Sequence, residues 1–106
     1  MVSGYVIEKL LVAVESLAVS TTPINQRVAN AWVGALISLR PDDFGDPRER
    51  ALFTSIRDAV RAGGDVEATT NAMTDGQALT AARATVELLS TICLTLAAGR
   101  EPHAAE

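Results

Sequence analysis

ALTAARATVELLSTICLTLAA, residues 78–98, carries only two charged side chains, Arg83 and Glu87, along its whole length. A surface helix of a small monomer normally shows one apolar stripe and a broad charged face. This stretch carries two adjoining seams instead. Leu79, Ala82, Val86, Leu89, Cys93 and Leu96 form the first, stepping alternately by three and four residues like a heptad seam. Ala81, Leu88 and Ile92 form the second, with Thr85 and Thr95 beside them. One neighbouring helix cannot cover both. The pattern predicts a helix packed against several others, with one seam shared between subunits. Ala81, Leu88, Ile92 and Thr95, whose small members allow close approach, are the candidate oligomer interface.

The rest of the chain supports an all-α fold. It has 106 residues, enough for one domain that buries roughly two-thirds of its unfolded surface. Hydrophobic residues make up 48% but aromatics only 4%, so the core must be aliphatic and alanine-rich. That composition suits helix–helix contacts, whereas sheets favour β-branched and aromatic runs. Ile7, Leu10, Leu11, Val14, Leu17 and Ala18 recur at helical spacing and predict a first helix ending near Val19. Thr22-Pro23 predicts a second start, with Thr22 as cap and Pro23 at the first helical position. Val28, Trp32, Ala35 and Leu39 then share one face up to the stop at Pro41.

Asp46-Pro47-Arg48-Glu49 combines a cap, a first-turn proline and a capping-box glutamate, opening a third helix around Phe53, Leu52, Ile56, Ala59 and Val60. Gly63-Gly64 closes that helix. Asp65 caps a short segment, Val66 to Met73, and Thr74 with Gln77 forms a second capping box before the last helix. The expected architecture is an antiparallel four-helix bundle with a short extra helical segment before the last helix. Residues 1–99 form the domain and 100–106 a flexible C-terminal tail.

Charge and motif content narrow the function. Net charge is −4 and the sequence pI is about 4.9, which disfavours nucleic acid, since phosphate binding calls for a basic surplus. A membrane span is also disfavoured, because Arg83 and Glu87 would lie deep in hydrocarbon. The single cysteine, Cys93, excludes an internal disulfide and sits among aliphatics like a reduced core residue, which favours a cytoplasmic setting. His103 is the only histidine, so zinc has almost no ligands to draw on, and no nucleophile–base pair or phosphate loop is present. No cofactor is expected.

Two clusters remain as candidates. Arg50, Arg57 and Arg61 share a face of the third helix and could meet an acidic partner or phosphates, although Asp58 interleaves with them. Arg83 and Glu87, four apart, could line an interhelical pocket or form an ordinary surface ion pair. Three segments, Asn25-Gln26-Arg27-Val28, Leu39-Arg40-Pro41-Asp42-Asp43-Phe44 and Ala68 to Asp75, resemble stretches of small bacterial helical proteins of unassigned function. That resemblance implies no activity, only that the region from Thr69 to Asp75 matters to the fold.

The expectation is a non-enzymatic interaction module with a scaffolding or regulatory role in a bacterial cell. Its partners would be a second copy of itself and another protein. The alternative is a small ligand-binding or enzymatic bundle with a pocket at Arg83 and Glu87. A third is an acidic DNA-associated regulator using the arginine face.

Overall fold

Each helix begins where a side chain can satisfy free backbone amides. The computed structural model describes residues 3–105, with side chains described through Ala98. Ser3 caps α1, Gly4–Val19, its Oγ accepting from the Val6 amide. Val6, Leu10, Ala13 and Leu17 form the buried face. Arg27 secures the far end by donating from Nε to the Thr22 carbonyl (2.6 Å) and from a terminal nitrogen to the Leu17 carbonyl (3.3 Å). Those carbonyls have no partner within the helix ladder, so a guanidinium fork is an effective clasp.

Helix α2, Ile24–Gly34, departs from expectation at both ends. Pro23 itself occupies the capping position and supplies no side-chain bond, so Thr22 does not cap. The helix also stops well before Pro41. Ala35 adopts φ −142° and ψ −60°, and two 3-10 turns follow, Leu36–Ser38 and Pro41–Asp43. Gly34 is a weak helix former. Beyond it, the break lets Ala35, Leu36 and Leu39 all turn inward. Ser38 Oγ donates back to the Ala35 carbonyl at 3.0 Å and holds the break closed.

Helix α3, Pro47–Arg61, is capped by Asp46, whose Oδ1 accepts from the Arg48 amide at 2.7 Å. It buries Glu49, Phe53, Ile56 and Val60, while Leu52 is only partly covered. Phe53 lies between Trp32 of α2 (centroids 5.8 Å apart) and Phe44 of the preceding loop (5.1 Å). Three of the chain's few aromatics thus meet in one cluster and lock the loop between α2 and α3. Gly64, at φ +90°, reverses the chain. Gly63 approaches so closely that a β-carbon there would lie 2.9 Å from Thr69 Oγ1, the atom accepting the Gly63 amide.

The short α4, Val66–Ala72, is capped by Asp65 and buries Thr70, whose hydroxyl donates to the Val66 carbonyl at 2.8 Å. Asn25 of α2 donates to the Thr70 carbonyl at 3.2 Å, joining the two helices. Helix α5, Asp75–Ala105, opens with the full capping box: Thr74 Oγ1 accepts from the Gln77 amide and Gln77 Oε1 from the Thr74 amide. The fold is all-helical, with five α-helices and no strand among the described residues. α5 packs against α1, α2 and α3. It also continues helically through the segment expected as a tail, to Ala105; Glu106 lies outside the described residues.

Candidate functional site

The inward edge of α5 is the reverse of the one assigned from sequence. Ala78, Ala81, Thr85, Leu88 and Ile92 are buried, with Leu88 at 0% exposure. Three of the four residues expected between subunits, Ala81, Leu88 and Ile92, are therefore core of the single chain, and Thr95 alone is exposed. Alanines at 78 and 81 bring the α5 backbone close to its neighbours, and Thr85 spends its hydroxyl on the Ala81 carbonyl at 2.9 Å, so it adds no polar cost. The heptad seam is left at the edge. Leu79 and Val86 are each almost half exposed, Cys93 is exposed, and Ala82, Leu89 and Leu96 are partly covered. Cys93 is accordingly a surface thiol rather than a core residue.

Helix α1 repeats this offset. Of the residues expected to face inward, Leu10 and Leu17 are buried, Ile7 and Val14 are half-buried, and Leu11 and Ala18 are exposed. Val14, Leu17 and Ala18 line a groove of about 340 Å³ with Ile24, Leu79, Ala82, Arg83 and Val86. The two leftover strips therefore adjoin and make one apolar face from α1 and α5. Contiguous apolar surface of this kind usually marks an interaction site.

Arg83 and Glu87 are not brought together. Glu87 accepts from Arg48 of α3 at 2.8 Å, both groups lying in solvent, while Arg83 borders the apolar groove. An exposed pair of that kind contributes little to stability. The residues Asp75–Ala98 are long and apolar enough to cross a membrane by length and composition. One side of that segment, however, is already committed to the core, and Glu87 is held by α3.

The arginine face is largely occupied by its own chain. Arg50 donates to the Gly45 carbonyl (3.2 Å), Arg57 approaches Asp58 (3.5 Å), and the Arg61 guanidinium lies 5.8 Å from the Trp32 ring centre. Cations already engaged with a carbonyl, a carboxylate and a ring make a poor phosphate-reading surface.

Glu49 does more than its place in the first turn of α3 implied. Expected to close a capping box, it is only 2% exposed, with Oε1 unpartnered. Burial pushes its carboxyl above the usual glutamate range and the nearby Asp46 carboxylate adds to this, while a backbone hydrogen bond at Asp46 offsets part. Trp32 Nε1 is likewise buried without a partner. The signal was available: Glu49 falls four residues before Phe53 on the same helical face. Among the described residues no group of three or more His, Cys, Asp or Glu side chains could hold a metal ion. No family model, curated protein or solved structure matches the chain.

Proposed function

We propose that this protein is a non-enzymatic helical interaction module, a homodimer with a scaffolding or regulatory role in the bacterial cytoplasm. In this proposal α1, α2, α3 and α5 form an antiparallel four-helix bundle, with α4 as the short extra segment. The observation that carries it is the uncovered apolar face of α1 and α5, with Leu11, Val86 and Leu79 each about half exposed. Covering such a face is worth roughly 25 cal/mol for each Å² of apolar area removed from water. Sedimentation equilibrium across a micromolar range is the test. A reversible dimer is expected, and a monomer at high micromolar concentration would overturn the proposal.

The groove beside Arg83 supports a second possibility. Its volume is at the lower end for ligand sites, its walls are aliphatic and a single guanidinium sits at its edge, which suits a small amphiphilic anion. Binding of a medium-chain carboxylate by calorimetry, weakened at least tenfold by Arg83→Gln, would establish it. Titration of the wild-type protein with no heat signal would exclude it.

A further inference from the structure

The outer seam of α5, exposed at Leu79, Val86 and Cys93 and partly covered at Ala82, Leu89 and Leu96, is self-complementary when run against a copy of itself. Leu79, Ala82, Val86, Leu89, Cys93 and Leu96 alternate steps of three and four. In an antiparallel helix pair with its two-fold axis between Val86 and Leu89, each member meets another member of the seam. Leu79 meets Leu96, Ala82 meets Cys93 and Val86 meets Leu89. A parallel pair would stack Ala82 on itself and leave a gap between fuller layers, which costs packing energy.

Charge favours the same arrangement. Between Leu79 and Leu96 the only charged side chains are Arg83 and Glu87, and Glu87 is turned to Arg48. Arg83 is in no ion pair among the described residues. A parallel two-fold sets the two Arg83 guanidinium groups level with each other. The antiparallel one separates them by nine helical residues, about 13 Å, beyond the Debye length of about 8 Å at physiological salt.

Area is the third support. The seam is about 25 Å long at the helical rise, and α1 and α5 side by side are about 20 Å wide, giving about 500 Å² in projection. That projection is of the same order as the ~800 Å² that each partner of a standard interface contributes. A second copy fits this face, which carries few charges, while keeping the two Arg83 side chains apart.

We infer that two copies of this chain associate through an isologous, antiparallel α5–α5 contact, each α5 seated in the other's α1/α5 groove. This rests on the homodimer proposed above and gives it a geometry. The native thiol provides the test. Cys93 of one copy lies against Ala82 of the other, while the two Cys93 residues stand eleven residues apart along the axis, about 16 Å, far beyond the ~7 Å Cα separation a disulfide tolerates. Under mild oxidation the wild type should stay uncrosslinked, and Ala82→Cys should yield a disulfide-linked dimer through Cys93. Val86→Asp, at an exposed position, should leave helicity unchanged and weaken the dimer ~100-fold by burying two unpaired carboxylates.

Ready crosslinking of the wild type would overturn the antiparallel orientation. A stable dimer that neither crosslinks through Ala82→Cys nor responds to Val86→Asp would overturn this geometry while leaving the homodimer standing. A monomer would remove both. A monomer that co-floats with phosphatidylcholine vesicles would assign the face to lipid instead.

Discussion

Glu49 shows how one side chain can set a protein's response to acid. Its folded-state carboxyl holds a proton more tightly than the unfolded one, because burial disfavours the charge. Such a group contributes most at low pH, and the contribution is lost as pH rises from the ordinary carboxylate range through the raised folded value. Glu49→Gln should therefore raise the melting temperature at neutral pH and flatten its dependence between mildly acidic and neutral pH. A variant that melts below wild type at neutral pH would show that the carboxylate form is stabilising. Gly64 is the other decisive residue, since its φ of +90° suits no L side chain. Gly64→Ala should cost about 1 kcal/mol or more in chemical denaturation. Arg27 was legible only as part of the resembling segment Asn25-Gln26-Arg27-Val28, because nothing in a linear sequence says which carbonyls a guanidinium will reach.

At the scale of elements, starts were easier to read than faces. The capping box at Thr74 and Gln77 forms as its spacing implies, and Thr74→Ala should cost about 1 kcal/mol, visible as earlier thermal unfolding. The end of α2 was harder. Val28, Trp32, Ala35 and Leu39 fit a helical period, yet the chain breaks at Ala35 and reaches the same burial by 3-10 turns. Period alone cannot distinguish those routes. The faces of α1 and α5 were displaced for a shared reason. Periodicity marks apolar positions, large or small, and does not say which of two adjoining apolar strips the neighbouring helices will cover. Ala13, Ala78 and Ala81 are in the interior, and Leu11, Leu79 and Val86 are at the margin. Phe53, by contrast, fills the centre at 0% exposure, and Phe53→Ala should cost about 3–5 kcal/mol, enough to unfold a marginal domain.

At the scale of the molecule, the sequence established helical class, the position of most turns and the excess of apolar surface on the final helix. Which seam was in excess followed only from the packing of α5 against its neighbours. A dimer through that face makes stability depend on protein concentration, so the melting temperature should rise with each tenfold increase in wild type and stay fixed in Val86→Asp. Identical shifts in both would point to a different surface.

The central role of α5 also bears on how the chain is made. It contacts α1, α2 and α3 and follows all of them in sequence. At ribosomal speeds its 31 residues take roughly 2–6 s to polymerise. Through that interval the surfaces that α1, α2 and α3 turn toward α5 have no cover. A nascent chain stalled before Ala78 should be held by chaperones or degraded, and one released beyond Ile92 should fold at once. A commitment point in synthesis is therefore expected, within the same stretch of only two charges.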